Sequence, residues 1–462
     1  MVFSGLPFLC FFLPAALALY YLAPRRARNG VLCLVSVVFY AWGEPVYVAL
    51  MLFSIAANFA YGRCLEQRGP RRLDLLAIVL VNLALLGFFK YAAFLAENLN
   101  ALGAALPVPD LPLPIGISFY TFQALSYVID AYRGRCAVQR SLIDFGCYLA
   151  LFPQLIAGPI VRYIAVAEQL RHRRESVAEF TAGIRLFAVG LAKKVLLANQ
   201  FGLLWESCRA EPPDSLAGLA AWLCIVAFAL QIYFDFSGYS DMALGLGHMF
   251  GFTFPLNFRY PYTARSVTEF WRRWHMTLSA WFREYVYIPL GGNRVSVPRH
   301  ILNIAVVWTL TGIWHGAAWN FALWGAYFGL LLILEKYVWA GGLEKAPAWC
   351  GHLYCLIAVL VSWVFFSCAS AGEALTYLRL MFGGAAAWSN DFALYQLISS
   401  GPLLIAGALG ATRLPAAAWA ALTRVRPGLS AWAGAVLAAG ALLLSLAYIV
   451  NSGYNPFLYF RF

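Results

Sequence analysis

The sequence predicts an all-α, polytopic membrane protein, and three observations carry that reading. Of its 462 residues 62% are hydrophobic and only 12% charged, with a mean hydropathy of +0.71; soluble domains average roughly 45–50% apolar and 25% charged residues. The apolar residues fall in long runs, and the polar stretches between them stay near ~45 residues or less, short of the roughly 50 that a compact domain needs. Sixteen Trp, 25 Tyr and 35 Phe suit a chain whose many span ends sit at the bilayer interface, where amphipathic rings are favoured. One membrane domain over residues 1–462 is therefore expected.

Taken in order, the candidate spans are 5–23, 30–43, 45–61, 73–89, 112–131, 141–160, 180–203, 215–235, 239–253, 300–319, 321–339, 351–369, 396–413 and 428–450. Several are shorter than the ~20 residues of a full crossing, so about 11–14 transmembrane and re-entrant helices are expected. Residues 5–23 lack a basic region before the apolar run and a small-residue cleavage site after it, and read as a first span that is retained rather than a signal peptide. The formal charge of +12 is spread in short basic clusters between apolar runs, which speaks against nucleic acid and for orientation in a membrane. Arg25, Arg26 and Arg28 follow the first run, and Arg63, Arg68, Arg71 and Arg72 the third. Both loops should be cytoplasmic and the N-terminus extracytoplasmic. Pro112, Pro114, Pro153 and Pro159, with basic clusters on both sides of 141–160, predict a broken, re-entrant segment there.

The stretch 257–299 holds seven Arg against Glu269 and Glu284, a cytoplasmic signature. Ser266-Val-Thr-Glu269 reads as a capping box opening an interfacial helix that continues to about Tyr285, with Trp271, Trp274, His275, Leu278 and Trp281 at helical spacing. Pro289 and Gly291-Gly-Asn293 then turn the chain into the helices of 300–340. The ten Cys include no CxxC pair and lie mostly in apolar runs, so neither a disulfide nor a metal site is expected.

Within 300–340 stands His315, deep in an apolar run. A helix through Trp319 would align Trp308, Thr311, Gly312, His315 and Trp319 as one stripe, a candidate tunnel lining. An imidazole at that depth marks a functional site, against the plainer reading of a hydrogen-bonding link between helices. Imidazole can accept a hydroxyl proton as the oxygen attacks an acyl carbonyl. His275 is the second candidate. Beside it Arg272, Arg273 and Trp274 could bind the phosphates of an acyl donor, or could anchor the helix to lipid headgroups. Asp235 and Asp241 interrupt a long apolar region; structural pairing, with an arginine of 257–299, is the expected role. His248 reads as an interhelical hydrogen-bonding residue, and His172, His300 and His352 as solvated or interfacial.

These features together resemble the membrane-bound O-acyltransferase family, in particular its bacterial alginate and peptidoglycan O-acetyltransferase branch. The resemblance runs over almost the whole chain. It begins at Met1 to Ser4 and Phe39 to Gly43, and passes through Pro114 to Gln123, Phe152 to Ile160 and Phe234 to Met242. Its most specific stretches are Phe270 to His275, Tyr287 to Arg294 and Gly312 to Gly316, and the terminal Asn455 to Phe462 matches as well. The resemblance implies a ring of helices around a central funnel, with the family's catalytic histidine at His315 and its second histidine at His275. It further implies an acetyl group moved from a cytoplasmic donor, acetyl-CoA or another acyl thioester that is a substrate and not a resident cofactor, toward an exported polysaccharide across the bacterial inner membrane. An extracytoplasmic SGNH-type partner would complete the transfer, and membrane lipids would surround the chain. D-alanyl transfer to teichoic acid and a non-enzymatic transporter or scaffold are the alternatives.

Overall fold

A computed structural model of the chain describes residues 2–156, 158–456 and 458. Met1, Ala157, Phe457 and residues 459–462, which include part of the terminal motif, lie outside the described residues. Every regular element described is helical. Bilayer hydrocarbon imposes this, because a helix satisfies its backbone polar groups within one segment.

In chain order the principal helices are α1 (Phe8–Leu22), α2 (Arg28–Gly43), α3 (Val48–Arg68), α4 (Arg72–Ala101), α5 (Ile117–Tyr132), α6 (Leu142–Ala150), α7 (Tyr163–Arg171), α8 (Val177–Ala192), α9 (Asn199–Arg209) and α10 (Gly218–Met249). There follow α11 (Val267–Trp271), α12 (Met276–Phe282), α13 (Val297–His315), α14 (Trp319–Leu334), α15 (Ala348–Ser367), α16 (Asp391–Ser399), α17 (Gly401–Gly410), α18 (Leu414–Val425) and α19 (Pro427–Asn451). Among the described residues six helices are long and apolar enough to cross a membrane, or seven when α16 and α17, bent by 55° at their junction, count as one span. On α19, Leu437, Leu443 and Val450 are 62%, 68% and 70% exposed. An apolar face so open fits lipid rather than water.

The chain divides into two compact units, residues 1–187 with 239–256, and residues 188–238 with 257–462. The first is centred on an aromatic core in which Phe39 and Phe152 approach to 5.5 Å between ring centroids and Phe3 stacks on Tyr239 at 4.6 Å. The break expected within 141–160 is present: α6 stops at Ala150 and Pro153 opens a single turn, Phe152–Leu155. Protein groups satisfy the broken backbone, since the Phe152 amide donates to Ser36 Oγ (3.1 Å) and Gln154 Nε2 to the Tyr148 carbonyl (2.6 Å).

The second unit carries His275 and His315. Its tightest helix pair is α13 with α14. A methyl group on Gly312 would come within 2.4 Å of the Phe321 carbonyl oxygen, and one on Gly325 within 2.4 Å of the Trp308 carbonyl oxygen, so a glycine on each helix lets the backbones touch.

Four expectations are corrected. The separate runs 215–235 and 239–253 are one 32-residue helix, α10; Gly238 does not break it, because its bare α-carbon fits against the Gly190 carbonyl, 2.7 Å from where a Cβ would stand. The interfacial helix expected to reach Tyr285 is broken after Trp271. His275 there adopts left-handed backbone, φ +42°, before α12 begins. α13 ends at His315 and Gly316 is extended, so Trp319 opens α14 and leaves the stripe. Cys208 and Cys224 are joined in a disulfide, with Cα atoms 6.2 Å apart, because α9 ends where α10 begins and their sulfurs face each other.

Candidate active site

His315 is the last residue of α13, and the helix stops there because Gly316 takes extended backbone. Aromatic rings line the imidazole, among them Trp314 at 5.0 Å, Trp324 of α14 at 4.9 Å and Phe366 of α15 at 5.6 Å, all close to edge-on. The ring keeps 4% of its surface exposed. Aromatic walls lower the local dielectric, in which charge movements are felt strongly, and they carry two buried indole N–H donors, those of Trp314 and Trp324.

His275 reaches the same cluster from the break between α11 and α12. Its ring lies 6.2 Å from Trp314 and 4.7 Å from Phe236 of α10. The indole of Trp314 therefore contacts both imidazoles. Asn257 builds the break: its carbonyl accepts the Met276 amide (2.9 Å), and its Oδ1 accepts the Thr277 amide (3.3 Å) and the Thr277 hydroxyl (2.9 Å). A side-chain atom that accepts from a backbone N–H is oxygen, which fixes the orientation of the amide. The same Oδ1 stands 3.0 Å from His275 Nδ1. Nδ1 must then carry the proton, and Nε2 is the basic nitrogen of the neutral ring. Burial pushes His275 down to about 3, so the ring is neutral at physiological pH. Left-handed backbone at a residue other than glycine costs about 1–2 kcal/mol, and such strain concentrates at functional sites.

The residues predicted to bind a donor separate. Arg273 donates to Thr263 Oγ1 (2.7 Å) and pairs with Glu269, so its guanidinium fastens the segment. Trp274 is buried against Trp363 (5.1 Å) and Phe270 (5.5 Å) and belongs to the core. Arg272 instead lines a mixed cavity of about 600 Å³, together with Trp308, His300, Lys336 and the acids Glu335 and Glu344. Thr311 is buried and donates to the Val307 carbonyl (2.7 Å), Gly312 is covered by α14, and Trp319 is 62% exposed. Of the predicted tunnel lining, Trp308 borders the same cavity as Arg272.

Asp235 is buried and paired, but its cation is Lys194 at 2.7 Å and no arginine of 257–299; the Leu458 amide completes the site at 2.9 Å. Lys194, on the helical continuation of α8, lies beside α10 where the close contact at Gly238 brings the two helices together. Asp241, on the same helix, is half-buried. His248 bonds Glu179 at 2.6 Å, an interhelical link as expected. His352 is held by the Ala264 carbonyl (3.1 Å), and His172 is exposed. His300 departs from expectation: it is buried, with Nε2 2.7 Å from the Tyr287 hydroxyl and Nδ1 2.5 Å from the Tyr337 hydroxyl. Sequence reasoning missed Asn257 and Glu335. Glu335 is buried and accepts from the Thr268 amide (2.9 Å), the Thr268 hydroxyl (2.6 Å) and the Val267 amide, capping α11. A lone acid after the apolar run of α14 was the available signal.

The sequence profile of the membrane-bound O-acyltransferase family matches residues 135–372, which include both histidines. A probable alginate O-acetylase of Azotobacter vinelandii is 41% identical over 391 residues, covering 83% of this chain and 78% of that protein. The chain belongs to the membrane-bound O-acyltransferase family. As a member it is an O-acyltransferase embedded in a membrane by several spans. A peptidoglycan O-acetyltransferase of Helicobacter pylori is 33% identical, covering 83% of this chain and 80% of its own length. A teichoic acid D-alanyltransferase of Streptococcus thermophilus is 29% identical and covers 48% of this chain and 56% of its own length.

Proposed function

We propose that this O-acyltransferase moves an acetyl group from a cytoplasmic thioester, acetyl-CoA, toward hydroxyls of an exported polysaccharide of the alginate or peptidoglycan kind, with His315 as the general base. The observation that carries the reading is the pair of buried imidazoles in contact with one indole, Trp314, inside a membrane-embedded acyltransferase. His315 takes the proton of the attacking hydroxyl while that oxygen bonds to the acyl carbon. The carbon–sulfur bond breaks, and the imidazolium returns the proton to the departing thiolate, leaving an ester and a free thiol. The carbonyl end of α13 stabilises the imidazolium while it exists. His275, fixed by Asn257 with Nε2 basic, is the second catalytic histidine. Because His315 is nearly enclosed, the aromatic wall must move to admit both substrates.

Arg272 and Lys336, on the cavity that Trp308 also borders, supply the positive charge for the donor's phosphates. The arginines of 257–299 favour the cytoplasmic side, whereas a disulfide persists in an oxidising compartment. Cys224 lies in the second turn of α10 (Gly218–Met249) and the basic segment follows the helix end, about 38 Å further along the axis. Both signals agree with a bacterial inner-membrane protein whose N-terminus is extracytoplasmic. An SGNH-type partner would receive the acetyl group outside.

The relatives named as acetylating a polysaccharide cover far more of the chain than those named as D-alanyltransferases, which favours acetyl over D-alanyl. The test is the purified protein in vesicles with isotopically labelled acetyl-CoA and D-alanyl carrier protein offered separately. Labelled acetyl ester is expected, and D-alanyl ester alone would overturn the assignment.

A further inference from the structure

A second cavity, in the first unit and separate from the histidine chemistry, has no role in the reaction derived above. It measures about 690 Å³ and draws its walls from the turn between α1 and α2 and from the end of α7 with the residues after it. Six arginines line it, at positions 25, 26, 28, 171, 173 and 174, against two acids, Asp144 and Glu175.

The inner layer is already neutralised and rigid. Glu175 pairs with Arg28 at 2.7 Å and accepts from the Tyr20 hydroxyl at 2.6 Å. Arg173 donates to the same hydroxyl (2.8 Å) and stacks over Phe252 at 4.7 Å. Asp144 accepts from Asn29 Nδ2 at 2.7 Å. Over this floor stand Arg25, Arg26, Arg171 and Arg174, all exposed, and among the described residues none of the four forms an ion pair. Four unpaired guanidinium groups from two separate chain segments converge on one hollow.

A run of arginines on a solvated face would only set orientation. Here the position at the edge of the apolar surface adds a second requirement. Directly before Arg25 on α1, Leu19 and Leu22 are 54% and 84% exposed, and two turns after Arg28 on α2, Leu34 is 65% exposed. A ligand that satisfies both surfaces has an anionic phosphate head and apolar tails. We infer that this cavity binds the phosphodiester headgroup of an anionic phospholipid, with its acyl chains along α1 and α2. Guanidinium forks match phosphate oxygens in bidentate fashion, and basic pockets beside spans favour anionic headgroups.

The test uses the full-length protein in neutral detergent, titrated by native mass spectrometry with phosphatidylglycerol, phosphatidylcholine and inorganic phosphate. The comparison protein carries Arg25→Gln, Arg26→Gln, Arg171→Gln and Arg174→Gln, four exposed side chains whose loss leaves the inner ion pairs intact. A fourfold Arg→Lys protein controls for charge. Wild type should prefer phosphatidylglycerol to phosphatidylcholine, and the Gln protein should lose at least about tenfold in phosphatidylglycerol affinity, given roughly fivefold per basic residue near a membrane surface. The Lys protein should bind phosphatidylglycerol more weakly than wild type and more tightly than the Gln protein, because it keeps the charge and loses the guanidinium fork. Equal phosphatidylglycerol binding by wild type and the Gln protein, or equal binding of the two lipids by wild type, would overturn the inference. Displacement of the lipid by micromolar inorganic phosphate would also overturn it, in favour of a soluble phosphate ligand.

Discussion

α13 carries a histidine near each end, and the two are held in opposite ways. His300 is clamped between the hydroxyls of Tyr287 and Tyr337, so each ring nitrogen is engaged by a phenol. His315 packs edge-on among the rings of Trp314, Trp324 and Phe366. A ring bonded at both nitrogens acts as a fastener. The imidazole proposed as the base lies among aromatic walls instead, and the break between α11 and α12 sets a second imidazole against the same indole.

The contrast is sharpened most by exchanging each histidine in turn. His315→Gln should lower acyl transfer by about 10²–10⁴, the range of a lost general base, with normal membrane assembly, whereas His300→Gln should keep most activity and lose about 1 kcal/mol of stability. Ester yield and thermal unfolding in detergent separate the two outcomes; equal effects on activity would erase the contrast. Next, Asn257→Ala should cost about tenfold in turnover, since it removes the acceptor that sets the His275 tautomer, an interaction worth about 1–3 kcal/mol. His275→Asn should fold better than His275→Val, because asparagine tolerates left-handed backbone and a β-branched residue does not. Of the two neighbouring arginines, Arg272→Gln should raise the donor KM about tenfold with kcat little changed. Arg273→Gln should chiefly lower stability, through loss of its bonds to Glu269 and Thr263. A KM effect confined to Arg273→Gln would reverse these roles.

The last prediction concerns pH and touches stability alone. His275 titrates near 3 in the folded protein and near 6.5 when unfolded, so between those values the unfolded chain holds a proton that the native one lacks. Stability is therefore greatest above about 6.5 and falls on acidification. Lowering the pH from 7 to 5 should cost about 2 kcal/mol from this residue, and His275→Asn should flatten that slope.

Much of this was legible in the sequence. The apolar runs located the spans, the paired prolines located the break after α6, and Ser266 capped α11 as its spacing demanded, accepting the Glu269 amide at 3.0 Å. What escaped were interactions between residues far apart in the chain. Periodicity across 266–285 carried no sign of a break, because the left-handed turn at His275 is imposed by Asn257 from the preceding loop. Charge matching offered Asp235 seven arginines, yet helix packing around Gly238 delivered Lys194. The Cys208–Cys224 pair is hidden for a like reason, since sixteen residues of sequence give no hint that two helix ends meet there. Gly312 was read as space for a substrate. It serves the contact between α13 and α14.

The most direct measurement is chemical rescue. Full-length His315→Ala protein in vesicles is supplied with labelled acetyl-CoA and acceptor, with and without added imidazole. The account predicts negligible ester without imidazole and a dose-dependent recovery when it is added. Wild-type ester formation by the unrescued variant would contradict it.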